Sequence, residues 1–193
     1  MPIYRFGEHT PRIAPSAYLA PSAIVIGNVV IGPDCYIGHG AILRGDYGAI
    51  EIGAGTAVEE GVIIHARPED RTVIGDRVTI GHGAMVHNAT ILEGATIGMR
   101  AVISDFAVVG AGCLVGEQAL VRRGQELPPR VVAVGVPAKV VGAVEDKHHD
   151  MAFLAKGLYV ELARYYPEAL AEITRDQATP GGQAAPAPVP DGK

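Results

Sequence analysis

Three histidines, His65, His82 and His87, stand close together in the chain, with Arg44, Asp46 and Glu59 shortly before them. Imidazole changes charge near neutral pH and is also a common zinc ligand. Three neutral imidazoles leaving one position open make a catalytic rather than a structural zinc set, because the remaining position holds water whose pKa falls from 15.7 to about 7. The hydroxide so formed attacks an electrophilic carbon, that of CO2 or of an ester or thioester. Spacing alone does not choose among these. Of the other histidines, His39 falls in the column of His82 but too far along it to share an ion, and His9, His148 and His149 fall outside the register.

That register comes from a six-residue beat. Aliphatic residues recur at Ile13, Leu19, Ile31, Ile37 and Leu43, then Ile52, Val58 and Ile64, then Ile74, Ile80 and Val86, then Ile91, Ile97, Ile103, Val109, Val115 and Val121. The fourth residue after each is usually small, as at Ala23, Cys35, Ala41, Ala95, Ala107 and Cys113. Repeats of this kind specify a hexapeptide β-helix. Each unit makes one short strand with its aliphatic inward, three units close a coil of about 18 residues, and coils stack at about 4.8 Å. About six coils between residues 13 and 122 give a triangular prism on the order of 30 Å long. The fold class predicted is all-β, a parallel β-helix with a C-terminal α-helix.

The beat breaks twice. Leu43 to Ile52 is nine residues and Ile64 to Ile74 is ten, so each break predicts a loop leaving the prism. Arg44 follows an inward leucine and points outward. His65 comes 21 residues later, one coil plus the first insertion, and His87 comes 22 later, one coil plus the second. The three form one stacked column, and the two imidazoles can lean together to the roughly 3.4 Å between ligands of a tetrahedral zinc. His82 has a different phase and belongs to a neighbouring corner. It would complete the set only from an adjacent prism, as in a cyclic trimer with a site at each interface.

Composition narrows the function. The chain has 193 residues and a net charge of −5, with 25 Gly, no Trp and few aromatics, which disfavours a helical bundle. Basic residues are scattered, so nothing invites nucleic acid. No apolar run approaches the roughly 18–20 residues of a membrane helix, and the opening MPIYRFGEH lacks the regions of a signal peptide. The expected location is cytoplasmic. Cys35 and Cys113 occupy small corner positions and read as core filler. The predicted organisation is a β-helix over 1–124, an extended covering segment over 125–144, a helix over 145–175 and a disordered Ala/Pro/Gly tail over 176–193. The helix carries apolar residues at 151, 154, 158, 162 and 165.

The runs AILRGDYGAIEIG and VIIHARPEDRTVIGDRVTIGHGAMVHNATILEGATIGM, followed by VGVPAKVV, resemble the gamma-class carbonic anhydrase family, in its short-loop branch of phenylacetate- and carnitine-operon proteins. The likeness covers roughly residues 1–170. It implies a left-handed β-helix, a homotrimer and a zinc (Zn2+) or ferrous (Fe2+) ion at each interface. His65 and His87 match ligands from one chain and His82 the ligand from its neighbour, while Arg44 matches a group reaching bicarbonate and Asp46 one that pairs across the interface. The implied reaction is reversible hydration of CO2 to bicarbonate. Family members with that activity resemble one another in an Asn and a Gln that here align with Ala57 and Glu59, and the acidic insertion of the archetype is missing. Glu59 reads either as a substitute base or as a turn carboxylate, and Tyr159 either as a site residue on the C-terminal helix or as packing. The other readings are a hexapeptide-repeat acyltransferase or thioesterase acting on an acyl-CoA, and a catalytically weak metal-binding or assembly protein.

Overall fold

The structure, a computed structural model, describes the backbone of residues 2–178 and the side chains of these apart from 146–155. Most of the tail expected over 176–193 therefore lies outside the described residues.

The six-residue beat becomes a parallel solenoid with three faces. Ile37, Leu43, Ile64, Ile80, Ile97, Ile103 and Val109 point into its interior and are fully buried. Each such side chain contributes about 1.5–3 kcal/mol relative to exposure. Ala23, Cys35, Ala95, Ala107 and Cys113 fill the corners, also fully buried, because a larger side chain there would collide with the turning backbone.

The first face stacks Ile42, Ile63, Met85, Val102 and Leu120 in register on its outside. The second stacks Glu51, Val73, Thr90, Val108 and Glu126. These two faces form one 12-stranded sheet, joined by the strand Ile42–Ile52. The third face is an eight-stranded sheet whose last strand alone is antiparallel, so seven successive coils contribute to it.

Three details differ from the sequence reading. The first insertion does not leave the prism as a loop: Ile42–Ile52 is one strand of 11 residues that bends from the first face to the second. Its pairing with Ile24–Ile31 shifts register between Gly27 and Val29, which absorbs the extra residues. The second insertion does loop out, over residues 66–70.

Parallel pairing also runs past residue 124. Glu126–Leu127 and Val131–Val134 add further strands, with Leu127 and Ala133 in the inward positions. Only Lys139–Ala143 turns back antiparallel as a cover.

Helix α1, Asp146–Ala169, lies on the third face against Tyr18–Leu19, Tyr36–Ile37 and Ala57–Val58. In its described half the residues facing the solenoid are Tyr159, Leu162, Ala163 and Tyr166, at helical i, i+3, i+4, i+7 spacing. Leu158 and Tyr165, placed on the apolar stripe by the sequence, are exposed. Stacking decides the phase: the rings of Tyr18, Tyr36, Tyr159 and Tyr166 pack at 5.0–5.5 Å between centroids.

Candidate metal centre

His65 ends the strand Ile63–His65 and His87 ends Met85–His87. Pairing sets Arg44 opposite His65 and His65 opposite His87. The column read from the spacing is thus present in the structure, on the edge of the first face. Nδ1 of His65 lies 3.1 Å from Nε2 of His87.

The outer nitrogens of both rings rest on carboxylates. His65 Nε2 is 3.0 Å from Asp46 Oδ1, and His87 Nδ1 is 2.5 Å from Asp105 Oδ1. With each outer N–H donated to its carboxylate, the two inner nitrogens carry lone pairs aimed at each other. At 3.1 Å the pair is satisfied either by a proton on one inner nitrogen, donated to the other, or by a metal ion to which both lone pairs turn. Carboxylate–histidine–metal is also the usual outer arrangement of a metal ligand, since it fixes the tautomer and raises ligand basicity. The donor set therefore fits a zinc or ferrous ion.

Electrostatics agree with this. Burial lowers the pKa of His65, and the Arg44 charge adds to it against the opposing pull of Asp46. The neutral ring that binds metal is thereby favoured. Burial works against the charged form of Asp46, but hydrogen bonds from Arg44 and His65 outweigh it and hold the carboxyl below its usual range. Asp105 is likewise held low, burial being overcome by His87 and Arg67.

The resemblance implies that Asp46 pairs across an interface. Within the single subunit it pairs with Arg44 of its own chain, at 2.5 Å, and with His65.

The surrounding loop is fixed by Asn88, which is buried and has a positive φ of 50°. Its Oδ1 accepts the Arg67 N–H at 2.9 Å and its Nδ2 donates to Asp70 at 2.8 Å. Residue 48 must be glycine, because a Cβ there would stand 2.2 Å from the Arg67 carbonyl oxygen.

His82 occupies a different corner, in the turn between the third and first faces. Its Nε2 lies 3.1 Å from Glu59 and its Nδ1 2.8 Å from Glu60, and its backbone N–H donates to Glu59 at 3.0 Å. Among the described residues of one chain, no three His, Cys, Asp or Glu groups are arranged to hold an ion.

Glu59 is not an exposed turn carboxylate: it is 6% exposed, beneath His82. Tyr159 both packs on Tyr36 and reaches Glu59, and its pKa is raised by burial and then by that carboxylate. Tyr36 donates to Glu60 at 2.9 Å. Two tyrosines thus fasten the pair of carboxylates that holds His82. Ala57 lies buried in the same aromatic cluster and brings no polar group to the histidine pair.

Sequence reasoning missed Asp105, Glu60 and Asn88. Asp105 had a signal, since it comes 18 residues after His87, one coil further along the prism. Glu60 had one too, as the turn residue one coil before His82. Asn88 had none beyond its position beside a ligand.

Fold and corner chemistry together define a hexapeptide-repeat solenoid protein. The profile described as bacterial transferase hexapeptide (six repeats) matches residues 10–45 and 71–105. A Bacillus cereus protein described as a candidate acetyltransferase is 33% identical, with 85% of this chain and 95% of that one covered and a TM-score of 0.84. A hexapeptide transferase family protein from Anaplasma phagocytophilum is 30% identical over 86% of this chain and 98% of its own, with a TM-score of 0.82. The chain belongs to the hexapeptide-repeat transferase family. It is also 40% identical over 76 residues to carnitine operon protein CaiE of Escherichia coli O157:H7, a stretch spanning 39% of each protein. Among the described residues, no helix is long and apolar enough to cross a membrane.

Proposed function

We propose that the protein is a trimeric metal-dependent enzyme that hydrates CO2 to bicarbonate, with each site completed across a subunit interface. The observation that carries this reading is the histidine pair: inner nitrogens 3.1 Å apart, outer nitrogens on Asp46 and Asp105. A relative's description as a transferase concerns a whole fold family, and fold does not fix chemistry.

In this reading His65 and His87 of one subunit and His82 of the partner subunit hold zinc or ferrous iron. The ion supplies Lewis acidity, which makes water a nucleophile at neutral pH. Arg44, partly exposed beside the pair, attracts the oxygen of CO2 that becomes negative and the bicarbonate product. Asp46 and Asp105 accept the outer N–H of each ring, fixing the tautomer that leaves the inner nitrogens as donors to the ion. His82 is held at both ring nitrogens in the single subunit, so it gives up one carboxylate on assembly, and Glu59, released or retained, stands ready to accept a proton. Tyr159 positions Glu59 rather than touching substrate.

The trimer is supported by the outer stripe of the first face. Ile42, Ile63, Met85, Val102 and Leu120 form a continuous apolar ladder beside the histidines, with Ile63 39% and Met85 41% exposed. A contiguous exposed stripe of this kind marks an interaction surface.

A second reading, acyl transfer or hydrolysis of an acyl-CoA, is favoured by the candidate acetyltransferase and hexapeptide transferase among the solved relatives. In it one histidine serves as general base on a thiol ester or acceptor amine, without need of an ion.

Metal analysis with paired assays tests the two. The proposal expects about one metal per subunit and CO2 hydration that is abolished by chelation and restored by zinc or iron. Metal-free protein that binds CoA and transfers an acetyl group would overturn it in favour of the second reading.

A further inference from the structure

Lys156 stands apart from the histidine site. It lies on α1, is only 6% exposed, and its Nζ donates to the Thr96 hydroxyl at 2.7 Å. Buried lysines are ordinarily matched by a carboxylate, whereas the hydrogen-bond partner here is an uncharged hydroxyl. Lys156 lines two cavities, of 420 and 360 Å³, and Asp76 and Arg77 line both of them with it. Glu93 and Arg130 line the larger one.

We propose that Lys156 is a carbamylation site, at which the buried amine adds CO2 reversibly to become an N-carboxylate beside Arg77. The neutral amine's lone pair forms the new C–N bond, one C=O pair of CO2 moves onto its oxygen, and an amine proton leaves to water. No oxidant, reductant or metal is required.

Three features support the reaction. Burial, with the Arg77 charge adding to it, brings the Lys156 pKa down to about 8. At pH 8 this gives on the order of 100-fold more neutral amine than an ordinary lysine with a pKa near 10.4. The two cavities that Lys156 lines are each large enough to hold a molecule the size of CO2 beside this side chain. The product also reverses the local electrostatics: a cation near Arg77 is repelled, whereas the carboxylate is attracted by that guanidinium and accepts a hydrogen bond from Thr96. Asp76 and Glu93 oppose the new charge, but Asp76 is already engaged by the Ala54 N–H at 2.7 Å.

The test uses the full chain. It has four lysines, of which Lys139, Lys147 and Lys193 serve as internal controls. Protein equilibrated with ¹³C-bicarbonate is treated with an alkylating oxonium salt, which converts any carbamate into a stable ester, and the adduct is located by peptide mass spectrometry. Labelled ester on Lys156, enriched on the order of tenfold or more over each control lysine, is the expected result. Absence of the adduct, or equal labelling of all four lysines, would overturn the proposal. A ¹³C carbamate resonance lost in Lys156→Met gives a second readout, and the wild-type trapping decides the matter should that variant misfold. Chelator-stripped protein is expected to behave identically, so failure of the CO2-hydration reading and failure of this one remain distinguishable.

Discussion

Asp105 does for His87 what Asp46 does for His65, and the symmetry of the two carboxylates is what turns a pair of stacked imidazoles into a candidate ligand set. Asp105→Asn keeps the shape but removes the anion, and its amide can present an N–H to the ring. Metal affinity is expected to fall about 10–100-fold, measured by competition with a chromogenic chelator, while the unfolding midpoint shifts little. The cysteines predict the opposite of reactivity. Burial pushes the Cys35 thiol up to about 11, and its Sγ donates to the Gly53 carbonyl. Cys113 is buried at the equivalent corner. Neither is expected to react with a thiol reagent at neutral pH until denaturant is added; rapid labelling of the native protein would contradict the packing described. At this scale the sequence was legible wherever the period applied: counting by coils placed Arg44, His65 and His87 in one column and put His82 at another corner. It was not legible for Glu59, whose burial depends on a helix arriving from about a hundred residues further on, nor for Asn88, whose amide is used by a loop the period does not describe.

The insertion at residues 66–70 is held by Asn88 and Asp70 rather than by strand pairing, and its stability should follow their chemistry. The hydrogen bond from Asn88, then that from the Arg71 backbone, holds the Asp70 carboxyl below its usual range. A carboxylate with a folded-state pKa below its unfolded value stabilises the fold fully above the unfolded value, about pH 4, and loses that contribution as pH falls through the folded one. Asp70→Asn is therefore expected to be less stable than wild type at pH 7 and to converge with it as the pH drops below about 4, read from urea unfolding at several pH values. Asn88→Ala leaves the Arg67 N–H without its partner and is expected to cost about 1–3 kcal/mol. In the coil itself Ile103→Ala, at a fully buried position, should cost about 2–5 kcal/mol. The period made the inward positions plain because each must meet the same triangular interior. It said nothing of how an insertion travels: that the first one continues as strand Ile42–Ile52 follows from a register shift in its neighbour, Ile24–Ile31, which no single strand's sequence reveals. The phase of α1 escaped for a related reason, since tyrosines on the third face select Tyr159 and Tyr166 over the more apolar Leu158.

For the whole molecule, the proposed site exists only if prisms meet along the first face. Met85→Glu places a charge in the middle of the apolar ladder while leaving the interior untouched, so circular dichroism should be unchanged as sedimentation reports monomers and bound metal is lost. A more direct measurement asks whether the ligands come from two chains. His82→Ala and His87→Ala subunits are each expected to bind no metal alone. Unfolded together and refolded as mixed trimers, they should regain metal, because a His82→Ala subunit still offers His65 and His87 to a neighbour that keeps His82. Recovery of metal in the mixture is the predicted result; retention of metal by the His82→Ala protein alone, or none in the mixed trimers, would contradict a shared centre.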